Sequence, residues 1–434
     1  MLIEPSEVAK TSASATDQLV RPPAVHHEPD GLEKLRPLPE HWRCSKNSRM
    51  DALLPQHSAI IMLISIRLLV CSLILGFGAT VVGAREPEAR IQPKRPTGER
   101  SVKTDRGFMV AYTQRIPGTN VEIEMVPVAG GTMDLKPPPP PPASWNDEWR
   151  AEQRGATYVP PKVDPDLKVQ TVEIEPFWMG KFEITMEQYM PYRQLYYAHK
   201  KAAFRKGYER PGFDEVDGVS SPTDVYDYSY NFEFAGASDS PVPTTSQFAA
   251  RQYTKWLSLT CKLDYRLPLR SEWQHACVSG QKPELLVDDV AVHFENTEKV
   301  ETIRAGTKLA SSLGLHDLQG NVSEWVIEDT ATTGLFRGHV AIGGNFNLDA
   351  KDCQCDSILR STEDWWDSDP DFPQSPWWAT SDESRATGFR IISPLKQMSD
   401  QLRELYWEAD SDRLREDVES RVESGRGTFG LVKP

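Results

Sequence analysis

A chain of 434 residues with a formal net charge of −14 repels nucleic-acid phosphates, which excludes a nucleic-acid partner and suits metal cations or plain solubility. The length allows two to three domains, or one large irregular domain with tails. The 34 prolines exclude a mainly helical fold, while 12 Trp, 13 Tyr and 15 Phe supply the aromatic volume of a sizeable core.

Residues 1–57 are polar, proline-rich and aperiodic, so residues 1–61 read as a disordered tail or a mis-called start. Residues 60–83 are apolar except for Arg67. If translation starts at Met62, residues 62–84 form a signal peptide. Arg67 is then the positive n-region, residues 68–77 the apolar h-region and Val82-Gly83-Ala84 the cleavage site. The competing reading is a retained membrane anchor, long enough at ~20 residues but with Arg67 inside it. The protein is thus expected to be secreted or periplasmic, or else membrane-anchored through residues 60–83 if these stay uncleaved. Residues 85–104 are basic and contain proline, which suits a linker.

Strand signals begin at residues 108–112, and residues 121–128 alternate with period two. Gly130-Gly131 marks a tight turn, and residues 137–142 are six prolines that read as an extended, solvated insertion. Residues 169–174 and 177–185 continue as strands. Thr185 is placed to cap a helix from Met186, with Gln188 completing a capping box. Residues 198–240 form a long polar and aromatic loop. Thr245 or Ser246 caps a helix over 247–259, with Phe248, Ala249, Tyr253, Trp256 and Leu257 at helical spacing. Pro268 breaks the chain, and Ser271 opens a helix over 272–278. Short strands and long loops follow to residue 394, giving an α+β domain over 105–394. Residues 395–434 form a charged helix and tail, with a partial apolar stripe of Leu402, Leu405, Tyr406, Leu414, Val418 and Val422.

Several fragments recur in a telling order. They are Val128-Ala129-Gly130-Gly131-Thr132, Phe182-Glu183-Ile184-Thr185, Pro241-Val242-Pro243 and Tyr265-Arg266-Leu267-Pro268-Leu269-Arg270-Ser271-Glu272-Trp273. Then come Gly314 through Trp325 (GLHDLQGNVSEW), Ile342-Gly343-Gly344-Asn345-Phe346 and Gly388-Phe389-Arg390. Together they resemble the formylglycine-generating enzyme (sulfatase-modifying factor) family. The resemblance implies an irregular C-type-lectin-like α+β fold supported by calcium. By position it implies calcium held by the side chains of Asp317 and Glu324 and the carbonyls of Gly320 and Val322. Calcium wants six to eight oxygens of this kind. The alternative is that Asn321 and Glu324 only brace the turn. The family's second calcium site is not legible over residues 287–312.

The family's oxidases convert a sulfatase cysteine to formylglycine with oxygen, holding copper(I) between two cysteines, as soft thiolates favour. Counting from Gly343-Gly344, Leu348 falls at the first cysteine position and Cys353 at the second. Asn345 stands where the family has serine and Ser323 where it has tryptophan. A close thiolate pair of Cys353 and Cys355 is a conceivable substitute for the copper site. The competing implication of the resemblance is a disulfide from Cys277, at the family's helix position, to Cys355, the nearest candidate partner. The four cysteines after Arg85 allow three pairings, and Cys261 with Cys353 is the remainder. His293, His316 and His339 lack ligand spacing. Trp365-Trp366 and Trp377-Trp378, with Asn345, lie where the family shapes its peptide groove. Such pairs either stack on a protein, peptide or glycan ligand or fill core.

Three functions follow. The first is an exported, calcium-supported binding module without the copper site, the second a formylglycine-generating oxidase with rearranged cysteines, and the third another oxidase of the superfamily. The first is preferred, because a two-ligand site with one ligand missing loses most of its metal affinity.

Overall fold

The computed structural model describes residues 89–137, 139, 145–157, 159, 169–195, 219–222, 232–297, 300–329, 339–362, 365, 375–378, 383–425 and 427–429. All belong to one unit, Val81–Pro434. The tail, the signal or anchor segment, most of the proline run and most of the 198–240 loop lie outside the described residues.

Strands β1 (Ile91–Gln92), β2 (Ser101–Thr104) and β3 (Gly107–Val110) form a three-stranded antiparallel sheet in the order β1-β3-β2. Residues 89–104 are therefore part of the domain and not a linker. Their basic, proline-bearing composition hides the point. Val102 is buried in the main core, and the Arg90 guanidinium lies 4.6 Å from the Trp178 ring centre.

Two four-stranded sheets carry the body. The first orders β16 (Ile392–Pro394), β8 (Phe177–Gly180), β5 (Glu122–Val128) and β4 (Tyr112–Arg115), all antiparallel. The alternation read over 121–128 puts Ile123 and Met125 in the core and leaves Glu122 and Glu124 exposed. The second orders β14 (Ile358–Arg360), β13 (Val340–Ile342), β12 (Ser323–Val326) and β15 (Thr387–Gly388). Every residue of β12 is buried, which suits a central strand. The hairpin of β6 (Gly131–Leu135) and β7 (Gln170–Ile174) closes the ends of the proline-bearing insertion. Within the loop expected over 198–240, β9 (Ser220–Pro222) pairs with β17 (Gly427–Phe429) from the far C-terminus.

Helix α1 (Trp145–Gln153) lies in the insertion. Helix α2 (Met186–Arg193) carries the capping box expected at Thr185 and Gln188, with both reciprocal bonds formed. Helix α3 (Gln247–Cys261) is capped by Ser246, whose hydroxyl accepts from the Ala249 N–H. Helix α4 (Arg270–Gly280) starts two residues earlier than expected. The reason is chemical: Glu272, not Ser271, satisfies the helix entrance by accepting from the Leu269 N–H at 2.8 Å. Ser271 instead binds Asp329. The short helix α5 (Val287–Val290) precedes β10 (Ala291–Val292), which pairs in parallel with β11 (Gln319–Gly320).

The single charged helix expected within residues 395–434 is two helices, α6 (Asp400–Trp407) and α7 (Asp412–Glu423), each capped by a serine hydroxyl. Ser411 competes for the backbone better as a cap than inside a helix, so the stripe breaks there. Both helices dock on the domain. Trp407 donates its indole N–H to Tyr265 O, and Val418 and Val422 pack with Trp377 and Phe248. Leu402 and Leu405 of the expected stripe are exposed.

Candidate functional site: a buried acidic cluster beside the paired glycines

The loop between β11 and β12 is held in an unusual backbone. Asp317 and Asn321 have φ of 54° and 59°, and Gly320 has φ of 86°. Any Cβ at Gly320 would lie 2.2 Å from Val292 O, so only glycine lets this loop pass β10. The turn brings three buried carboxylates together: Asp317, Glu324 and Glu183. Against them stands one buried guanidinium, Arg390. It donates to both oxygens of Glu324 at 2.7–3.1 Å, to Gly180 O at 2.8 Å and to His316 O at 2.7 Å. Trp273 of α4 donates its indole N–H to Glu324 Oε2 at 2.7 Å. One ion pair thus ties β8, α4, β12 and the 316 loop together.

Glu183 accepts from the Val322 N–H at 3.2 Å and the Asn321 side chain at 3.4 Å. Burial, then the facing Asp317 and Glu324 charges, push its carboxyl well above the usual range. Burial also pushes Asp317 up to about 6, although its Oδ2 accepts from the Gly306 N–H at 2.5 Å. Its Oδ1 is buried with no hydrogen-bond partner. The excess of buried carboxylate over guanidinium and this open oxygen fit a hard cation. Among the described residues, no three His, Cys, Asp or Glu side chains are grouped to hold an ion between them. Backbone carbonyls must therefore share in any coordination, as Gly320 and Val322 would. Glu324 departs from the expected role of a free ligand, because both its oxygens already serve Arg390 and Trp273.

The paired glycines keep their backbone signature, with φ of 98° at Gly343 and 78° at Gly344. A Cβ on Gly344 would meet Cys353 Sγ at 2.7 Å, so the glycine exists to let Cys353 approach. Cys353 is fully buried and bonds Asn345 O at 3.6 Å, and burial pushes its thiol up to about 12. Leu348 at the other position is half-buried. Cys355 is bonded to Cys277 of α4, with Cα atoms 5.7 Å apart. A thiolate pair of Cys353 and Cys355 is therefore absent, because Cys355 has no free sulfur. The remainder pair is absent too: Cys261 and Cys353 are both free.

Of the tryptophans read as either lining a groove or filling core, Trp365 and Trp377 are core. Trp365 packs on Trp325 with ring centres 5.8 Å apart, and Trp377 sits under α7. Trp378 is half-buried, and Trp366 lies outside the described residues. Asn345 is also buried, donating to Ser323 Oγ at 2.9 Å and accepting from the Asn347 N–H. The aspartate-rich surroundings of these tryptophans mask a core role, since alternation with charge reads the same in a rim and in a buried turn. Sequence reasoning gave no role to Glu183. Its position between apolar Phe182 and Ile184 was the available signal.

Residues 117–392 match the family model described as the sulfatase-modifying factor enzyme 1-like domain. The chaperone protein LppX of Paenibacillus barcinonensis is 24% identical over 190 residues, covering 37% of this chain and 64% of that protein. The chain thus spans less than two thirds of that relative. Among solved structures, PvdO from Pseudomonas aeruginosa is similar at 15% identity and a TM-score of 0.40, covering 63% of this chain and 94% of its own. The Treponema denticola variable protein 1 is similar at 16% identity and a TM-score of 0.39, covering 66% and 99%. The family match spans well over half of the sequence, and the chain belongs to the sulfatase-modifying factor enzyme 1-like family, with its α+β fold.

Proposed function

We propose that this chain is an exported, calcium-supported binding member of its family that lacks the copper oxidase site. The observation that carries the reading is the state of the sulfurs. Leu348 occupies one thiolate position, Cys353 is a buried neutral thiol, and Cys355 is consumed by the disulfide. One buried thiol does not hold copper(I), which takes soft sulfur ligands in numbers. The residues present do not fit the ion.

Titration of copper(I) into the purified protein, with its disulfide intact, tests this. The expected result is no stoichiometric binding, with Leu348→Cys as the variant that restores a second sulfur. Tight one-to-one binding by the native protein that disappears in Cys353→Ser would establish the oxidase reading instead. A sulfatase-motif peptide incubated with oxygen then checks turnover.

Calcium belongs to the same reading. Asp317 and the Gly320 and Val322 carbonyls would hold it, with Glu324 braced by Arg390 at the edge of the site. Bound calcium supplies positive charge that offsets the buried carboxylates. Calcium at ~100 times its Kd stabilises a folded protein by ~2.7 kcal/mol. A chelator should therefore lower the melting temperature, and Asp317→Asn should abolish the difference. Export rests on residues 62–84 and agrees with a disulfide, which persists in oxidising compartments. Amino-terminal sequencing of material recovered outside the cytoplasm should begin at Arg85. Recovery of an intact residue 62–84 segment in membranes would favour the anchor.

A further inference from the structure

A cavity of about 290 Å³ opens between the end of α4, residues 281–290 and the 309–319 loop, with Cys277 of the disulfide in its wall. Its walls are aliphatic: Leu285, Leu286, Leu309, Leu315 and Leu318. Leu286 and Leu309 are largely exposed at 71% and 55%, so one side is open to a visitor.

Most polar side chains of this cavity present acceptors, the exception being Ser311, whose hydroxyl accepts from the Leu315 N–H at 3.2 Å and can also donate. Gln281, Gln319 and Gln354 line it, and each spends its amide N–H on the protein. The acceptors are Cys355 Sγ at 3.4 Å, Cys353 O at 2.9 Å and Ala350 O at 3.2 Å. Those acceptors cannot donate, so the amide orientations are fixed. Among the described residues, all three Oε1 carbonyls are left without a hydrogen bond. Lys282 also lines the cavity, but its ammonium is turned to Ala310 O at 2.8 Å. Asp317 completes the lining, and its Oδ1 is the buried oxygen with no partner. The cavity therefore offers acceptors and a negative charge against an alkyl wall. Its complement is a group that only donates, carries positive charge and has an aliphatic stem.

We propose that this cavity binds an aliphatic ammonium group, as presented by a lysine side chain of a partner polypeptide. The methylene stem lies along Leu285, Leu309 and Leu315, as long cationic side chains do on apolar surface. The ammonium, with three donors and no acceptor, meets the glutamine carbonyls and Asp317. The volume admits one such side chain and little more. The site borders the disulfide but uses no free thiol, so it stands whether or not the oxidase reading survives. It shares Asp317 Oδ1 with the calcium site, so the two ligands should compete.

The test uses the mature protein in chelator, followed by NMR or calorimetry. The probes are N-acetyl-lysine methylamide, its uncharged counterpart N-acetyl-norleucine methylamide, and 1,5-diaminopentane. The expected result is saturable binding of the lysine probe with shifts confined to residues around the cavity. The norleucine probe should bind at least tenfold more weakly, and added calcium should weaken the lysine probe. Binding of 1,5-diaminopentane much tighter than the lysine probe would point to a free amine as the occupant and overturn the polypeptide assignment. Leu309→Trp, at an exposed position that leaves folding intact, fills the cavity and should abolish binding. Equal binding of lysine and norleucine, or lysine binding unchanged in Leu309→Trp, would overturn the proposal. So would the absence of any shift at the cavity.

Discussion

The loop around Glu324 and the segment around Cys353 sit beside the same paired glycines, yet they have fared differently. In the first, the acidic residues and the glycine expected of the loop are present, with Ser323 the one departure, and nearly every polar atom is spoken for. Arg390, Trp273, Asn321 and the Val322 N–H all converge on buried carboxylates. In the second, the backbone survives and the chemistry does not. Gly344 still makes room for Cys353, but the second sulfur is a leucine and the next one is tied to α4. The contrast separates what holds this fold from what a reaction would need. Breaking one partner of a buried ion pair that links four elements weakens all four contacts at once. A reactive thiol pair can be lost while its scaffold stays.

The strongest way to break that comparison is to cut the ion pair. Arg390→Met leaves Glu324 buried with only the Trp273 indole as a donor. Removing one partner of a buried pair costs ~3–5 kcal/mol. The midpoint of urea unfolding should fall accordingly, and a loss under ~1 kcal/mol would show that the cluster is not structural. The disulfide comes next. Cys277→Ser opens a link spanning 78 residues in sequence and should cost ~2–4 kcal/mol. Thiol titration in denaturant should then find one more free sulfur than the two, Cys261 and Cys353, of the native mature chain.

Asp317 and Glu324 of the acidic cluster were legible in advance because they come in one short run with a glycine at its bend. The glycine motif, the capping box at Thr185 and the alternation over 121–128 depend on local backbone chemistry, which sequence records directly. The groove was not legible. Trp365 and Trp377 are buried by Trp325, α3 and α7, and those contacts join residues far apart in the chain. The strands at 91–104 escaped for a related reason. Val102 is held by β3, and nothing in a basic, proline-bearing stretch announces that partner. The role of Glu183 depends on its distance from Asp317 and Glu324, which no spacing encodes.

The pH response of the cluster sharpens the comparison further. Asp317 ordinarily loses its proton near 3.8, whereas in the fold it holds the proton up to about 6. Between those values the folded chain binds more protons than the unfolded one. Stability is therefore greatest below the lower value and falls as pH rises through the upper one. In chelator the loss attributable to Asp317 is on the order of 2–3 kcal/mol. Subtracting the profile of Asp317→Asn from that of the native protein isolates it. Glu183 contributes with the same sign, since its carboxyl is also pushed up. A difference profile that rises between pH 4 and 6 would contradict the burial of an unpaired carboxylate.

The smallest effect concerns the sulfur that remains. Cys353 and Cys261 are both pushed up to about 12 by burial, so neither offers much thiolate near neutral pH. Native protein at pH 8 should react with a disulfide reagent far more slowly than after unfolding. Cys353→Ala removes a sulfur that fills the space beside Gly344 and should cost ~1 kcal/mol. That modest loss is what a packed, unreactive group contributes. If Cys353 instead reacts rapidly in the folded protein, its surroundings stabilise a thiolate, and the segment has kept more of the family's chemistry than its geometry implies.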